Sequence, residues 1–162
     1  MKKLSYIALL LLSCIFSCQD IKTTNSNNQI SPISKLQDKV VLKNLEIDQK
    51  WYGTYRIRFE YGKIGGINAG WDLEILINKN QIIASGNGYQ IGFKDELTAT
   101  AEGNKLVLKH KKNIDGYTLG EDMNPEFILI EDNGLFYIQS EWIDSDIITK
   151  PEKKGFKITK EN

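Results

Sequence analysis

The chain of 162 residues has very little cysteine. Its two cysteines, Cys14 and Cys18, lie near the amino terminus, so the rest of the chain has no thiol and cannot form a disulfide. His110 is the single histidine, and without a thiol in the rest of the chain it cannot complete a Cys/His metal site or a Cys-His nucleophile. We therefore predict that the protein is not an enzyme and that it has no catalytic residues, no metal site and no cofactor.

An excess of charge of one sign is also absent. The chain has 21 basic and 21 acidic side chains. Loss of an amino-terminal leader would remove Lys2 and Lys3 and no acid, which leaves a net charge of about −2. Proteins that bind nucleic acid usually show a basic patch or stripe, so we expect no nucleic acid among the partners.

The apolar run near the amino terminus is too short to be a stable membrane span. It follows Lys2 and Lys3 and ends at Phe16, which is typical of a secretory signal peptide. Ile15-Phe-Ser-Cys18 resembles the lipobox of bacterial lipoprotein signals. This resemblance implies a signal peptide over residues 1–17 and a Cys18 that carries acyl chains such as palmitate. Leu11-Leu-Ser-Cys14 also fits the pattern, but it leaves a shorter apolar region.

Lipidation would attach the protein to a membrane, since each buried methylene of an acyl chain contributes about 0.8 kcal/mol. Gln19 follows Cys18, whereas in similar lipoproteins an aspartate at that position favours the inner membrane. The resemblance therefore implies an outer membrane lipoprotein, and the side that it faces stays open. Residues 18–32 are polar and predict a flexible tether. Residues 33–47 predict a short helix or an irregular lead-in, although Val40 could equally begin a strand.

The stretch from Trp51 to Tyr61 predicts the first strand of a β domain over residues 48–162. Its residues alternate, with aromatic and aliphatic side chains on one face and Arg56 and Arg58 on the other. A second strand at 70–78 returns through a glycine-rich loop, so we expect the two arginines to pair with Asp72 and Glu74 across the strands.

Further strands are predicted at 81–85, 89–93, 97–101, 105–111, 126–131, 135–143 and 155–160. Asn133-Gly134 predicts a tight hairpin turn, and so does the segment 101–105. Residues 113–125 form a gap that could be a rim loop or contain a short strand near Tyr117. Eight or nine short strands without a second helical pattern predict an all-β fold, a single antiparallel up-and-down barrel.

Trp51-Tyr-Gly-Thr-Tyr55 resembles the opening strand of small lipocalin-like barrels, in which a tryptophan and a glycine plug the closed end. The chain resembles more closely a group of bacterial lipoproteins with a lipobox, a polar spacer and a Trp-x-Gly-x-Tyr strand. This resemblance covers residues 45 to 160. It implies a lipocalin-like barrel and an envelope location, and no activity.

Ala84-Ser-Gly-Asn-Gly-Tyr89 carries a second resemblance. Ser85, Gly86 and Tyr89 match the Ser-Gly-x-x-Tyr loop of lipid-anchored inhibitors of c-type lysozyme, but the usual basic residue is Gly88 here and the usual disulfide is missing. A tight turn would have the same composition. The match implies an inhibitor or immunity-type protein that uses the 84–89 loop, as the alternative function.

The polar candidates are ambiguous in the sequence. His110 follows the apolar positions Leu106 and Leu108 in alternation but lies among lysines, which favours a partly exposed residue at a strand end. Carboxylates are numerous, yet nothing in the sequence places two of them across a shared cleft. Trp142 lies at a predicted strand end beside Asp144 and is our candidate for an exposed rim contact.

The sequence thus favours a non-enzymatic binding module held on the membrane by its lipid. Its ligand would be a small apolar molecule in the barrel or a protein partner on its surface. Ser85, Tyr89 and Trp142 are the candidate contacts. A barrel interior filled by large side chains would count against the small ligand and favour the protein partner.

Overall fold

The computed structural model describes residues 47–162. The predicted signal peptide, Cys18, the tether and almost all of the 33–47 lead-in lie outside the described residues. A 3-10 turn at Gln49–Trp51 leads into eight strands: β1 (Gly53–Ile64), β2 (Ile67–Ile77), β3 (Ile82–Gly88), β4 (Ile91–Glu102), β5 (Lys105–Gly116), β6 (Phe127–Asp132), β7 (Leu135–Gln139) and β8 (Phe156–Glu161). A second 3-10 turn, Leu119–Asp122, lies between β5 and β6. In these residues no helix is long and apolar enough to cross a membrane.

The strands form a closed antiparallel barrel in which each strand pairs with its neighbours in sequence and β8 pairs with β1. The predicted up-and-down barrel is therefore confirmed, with eight strands. The predicted strands at 89–93 and 97–101 are one continuous strand, β4. The hairpin turn predicted at Asn133-Gly134 is confirmed as well. These two residues join β6 to β7 with φ values of 52° and 81°, the positive values that such a turn requires.

Large side chains fill the barrel. Alternation places one face of each strand inward, and Trp51, Tyr55, Phe59 and Trp71 are all fully buried there. The rings of Phe59 and Trp71 lie 4.6 Å apart. Aromatic pairs of this kind stabilise a core beyond the area that they bury, and they leave the interior occupied by protein.

The outer face of β1 carries the predicted ladder of charges. Arg58 Nη1 lies 2.8 Å from Asp72 Oδ2, and Arg56 Nη2 lies 2.8 Å from Glu74 Oε2. Arg56 also pairs with Glu161 on β8 across the closure of the barrel. These groups are about half exposed, so each pair contributes little to stability.

The two ends of the barrel differ. The chain enters at the end that holds the β2–β3, β4–β5 and β6–β7 turns, and Trp51 closes this end by packing its ring against Phe136. The opposite end holds the two tight turns at 65–66 and 89–90 and the two long connections, 117–126 and 140–155. We call the first the entry end and the second the far end.

Candidate functional site

Three ionisable side chains meet inside the barrel below the far end. Asp95 on β4, His110 on β5 and Glu126, just before β6, form a group that we call the polar centre. Asp95 has the inward position between Phe93 and Leu97. Asp95 and Glu126 are fully buried, and 12% of the His110 side chain is exposed. Buried acids are rare unless they are paired, so the polar centre is the strongest candidate site in the described residues.

The ring nitrogen of His110 lies between the two carboxylates. Its Nδ1 is 3.2 Å from Glu126 Oε2 and 4.0 Å from Asp95 Oδ2. One oxygen or nitrogen of each residue can be chosen so that the three atoms lie within 4.8 Å of one another. The polar centre therefore points three potential ligand atoms toward one position.

Neutral donors hold the outer oxygen of each carboxylate. Asn113 Nδ2 donates to Asp95 Oδ1 at 2.8 Å, and Trp142 Nε1 donates to Glu126 Oε1 at 3.1 Å. Asp95 Oδ2 is buried and has no hydrogen-bond partner. An unpaired buried acceptor is costly, and this one faces the histidine.

The long connections at the far end cover the polar centre. Gly120 of the second 3-10 turn is buried, and a Cβ on it would lie 2.8 Å from both Asp95 Oδ2 and Glu126 Oε1. Trp142 lies flat on Phe93, with the ring centres 4.0 Å apart. A substrate could not reach the two carboxylates without displacing these residues.

Burial governs the charge of Glu126. The pKa of Glu126 is raised to about 7, chiefly by loss of water; the nearby Asp95 carboxylate also raises it, and the bonds from Trp142 and His110 lower it. A protonated Glu126 can share its proton with Asp95, and an ionised Glu126 needs a cation. The polar centre can therefore bind either a proton or a metal ion.

The surface of the far end is apolar. Of the eight large hydrophobic side chains that are exposed in the described residues, seven lie at this end: Ile64, Ile67, Tyr89, Ile114, Tyr117, Leu119 and Ile148. We call these seven the apolar rim. They lie in the connections or at the strand ends beside them, and Ile64, Ile67 and Tyr89 line a shallow groove of about 270 Å³. Leu135, at the entry end, is the eighth.

The three predicted contact residues have different outcomes. Tyr89 is exposed at the β3–β4 turn, and its ring lies 5.8 Å from that of Tyr61. Ser85 is half-buried within β3 and pairs with Glu74 and Lys94, so it does not lie in a loop. The prediction that Trp142 is an exposed contact is wrong: its side chain is buried because its ring stacks on Phe93 and its N–H binds Glu126.

The interpretation of His110 is also corrected. It lies in the middle of β5 rather than at a strand end, and it faces two buried acids. Its alternation with Leu106 and Leu108 indicated an inward position in the sequence. Asp95 has the same signal, since Phe93, Asp95 and Leu97 alternate, but the sequence reading placed Asp95 between two strands. Glu126 has no comparable signal, because it directly precedes the inward-facing Phe127 and strict alternation would turn it outward.

Comparisons of this chain with protein families, curated proteins and solved structures give no match. The described residues alone therefore carry the functional argument.

Proposed function

We propose that this protein is a non-enzymatic module, tethered to the outer membrane through Cys18, that binds an envelope protein with its apolar rim. The observation that carries the proposal is the distribution of exposed apolar side chains. Seven of the eight in the described residues lie at one end of the barrel. Large exposed apolar patches mark interaction sites, and three of the seven, Ile64, Ile67 and Tyr89, line one groove.

The packed interior favours a protein partner over a small apolar ligand. A pocket for such a ligand typically has a volume of about 300 to 1,000 Å³ and an apolar lining. Here the inward positions hold large rings, among them Trp51, Tyr55, Phe59 and Trp71, none of which is exposed to water. Binding inside the barrel would require several of these side chains to leave.

Charge at the far end has both signs. The 140–155 connection exposes Asp144 and Asp146 but also Lys150 and Lys153, and Lys63 is exposed beside the apolar rim. A border of mixed sign suits a protein partner with complementary charges, whereas an anionic lipid surface attracts clusters of basic residues.

The end at which the chain enters the barrel also supports a partner at the apolar rim. The described residues begin at the entry end, where Trp51 closes the barrel. The chain from Cys18 would join the barrel at that end, which is opposite the apolar rim. The predicted flexible tether at 18–32 would span on the order of 20 Å.

Cover over the polar centre supports the non-enzymatic part of the proposal. Asp95 and Glu126 are fully buried beneath Gly120 and Trp142. Catalysis needs a reacting atom within about 3 Å of the acid or base. The closed arrangement suits a group that stabilises the barrel or binds an ion.

Crosslinking from both ends of the barrel tests the proposal. A photoreactive amino acid replaces Tyr117 at the apolar rim or, as the matched control, Leu135 at the entry end. In cells that make the full-length protein, we expect one discrete protein adduct from position 117 and none from position 135. The adduct should disappear when Ile67→Asp is added, because the charge interrupts the apolar rim. Equal adducts from both positions, or lipid adducts alone, would refute the proposal.

The inhibitor function stays a second prediction with less support. It needs a protruding 84–89 loop, whereas residues 84–88 belong to β3 and only Tyr89 lies at a turn. A direct assay of c-type lysozyme with the purified protein tests it, with Tyr89→Ala as the variant that should relieve inhibition.

A further inference from the structure

We propose that Asp95, His110 and Glu126 bind one divalent transition-metal ion inside the barrel, and that Zn²⁺ fits the site best. This site is separate from the apolar rim and does not depend on the proposed partner. It lies inside the wall formed by β4, β5 and the start of β6.

The spacing of the three side chains suits a common metal ion. Two ligands bound to Zn²⁺ at about 2.0 to 2.2 Å lie roughly 3 to 4.3 Å apart, depending on the angle between them. The distances from His110 Nδ1 to Glu126 Oε2 and Asp95 Oδ2 are 3.2 and 4.0 Å. The three ligand atoms lie within 4.8 Å of one another, so only a small contraction is needed.

The unpaired oxygen of Asp95 is an independent indication. Asp95 Oδ2 is buried, has no donor other than the Glu126 carboxyl group when that group is protonated, and faces the other two ligands. Such an acceptor normally finds a donor, a water molecule or an ion. A cation at the polar centre would satisfy it, and a charge of +2 would balance the two buried carboxylates.

The chemistry of the ligands selects the ion. Imidazole nitrogen suits Zn²⁺, Cu²⁺ and Fe²⁺ more than Mg²⁺ or Ca²⁺, and carboxylates bind Zn²⁺ readily. A hard ion such as Ca²⁺ would prefer six to eight oxygen ligands, more than the three side chains supply.

The surrounding hydrogen bonds orient the ligands. Asn113 and Trp142 each hold the outer oxygen of one carboxylate and leave the other oxygen turned toward His110. Partners of this kind fix ligand geometry in metal sites, and losing one typically lowers metal affinity about 10- to 100-fold. His110 is the least buried of the three ligands, with 12% of its side chain exposed.

Zinc titration of the full-length protein, purified in detergent and stripped with a chelator, tests the proposal. A competing chromophoric chelator reports the affinity, and elemental analysis reports the stoichiometry. We expect one Zn²⁺ per chain. His110→Gln and Asp95→Asn should each weaken binding at least about 100-fold, and Asn113→Ala about 10- to 100-fold.

Glu96→Gln is the matched control. Glu96 is the next residue along β4, faces outward and pairs with Lys111 at 2.6 Å, so its loss should leave zinc affinity unchanged. Circular dichroism checks that each variant is folded. X-ray absorption of the zinc-loaded wild type provides a readout that needs no variant, and it should show one nitrogen from histidine among oxygen ligands.

Two results would overturn the proposal. The first is a wild-type protein that binds no stoichiometric Zn²⁺, which would mean that Glu126 and Asp95 share a proton instead. The second is zinc binding that persists in His110→Gln, or an absorption spectrum without a histidine ligand, since either would place the ion on surface carboxylates.

Discussion

The substitution Glu126→Gln should remove a pH dependence from the stability of the metal-free barrel. Burial raises the pKa of Glu126 from 4.5 to about 7. Between these two values the folded protein holds a proton that the unfolded chain releases, so stability is highest below pH 4.5 and falls as pH rises to about 7. At 1.36 kcal/mol per pKa unit, the full loss is about 3 kcal/mol, most of which falls between pH 5 and pH 8.5.

Urea unfolding followed by tryptophan fluorescence, in the presence of a chelator, measures this effect at both pH values. The difference in unfolding free energy between the variant and the wild type should shift by about 2 to 3 kcal/mol in favour of Glu126→Gln at the higher pH. Glu96→Gln, on the outer face of β4, should follow the wild type. If Glu126→Gln also follows the wild type, Glu126 is ionised at pH 5 and the reasoning fails.

Urea unfolding also tests three further changes, one of which has a matched control. Trp142→Phe keeps the stacking on Phe93 but loses the bond to Glu126, and should cost about 1 to 3 kcal/mol; no loss would mean that this bond contributes nothing. Gly88→Ala places a Cβ 2.4 Å from a backbone oxygen at a φ of 149° and should cost more than about 2 kcal/mol. The matched control is Gly92→Ala, whose Cβ would have no atom within 4 Å and which should cost less than about 1 kcal/mol. Arg56→Ala should leave the free energy of unfolding close to that of the wild type despite its two ion pairs, and a clear loss would show that the outer ladder of charges stabilises the barrel.

Alternation was sufficient to predict the barrel. In β1, inward residues such as Tyr55 and Phe59 recur every second position, and the outward arginines find their acids on β2. The Asn133-Gly134 turn was also predictable, because its positive φ values require residues of this type. Such signals are local, so the sequence shows them directly.

The polar centre could not be predicted in the same way. Asp95 interrupts an apolar face, and alone it resembles a break between two strands. Its burial is explained by its contacts with His110 and Glu126. His110 lies 15 residues after Asp95, and Glu126 lies 16 residues after His110. Trp142 was misplaced for the same reason, since β7 ends at Gln139 and the following residues turn inward to reach Glu126. Closure of the barrel brings these residues together.

The wall of the barrel is unevenly connected. The first five strands pair over long stretches, from Gly53 with Ile77 to Glu102 with Lys105. By contrast, β8 joins β7 only through residues 156–158 and β1 only through residues 159–161. Amide protons on β8 should therefore exchange with deuterium well before those in the middle of β2, and unfolding should begin where the sheet closes on itself.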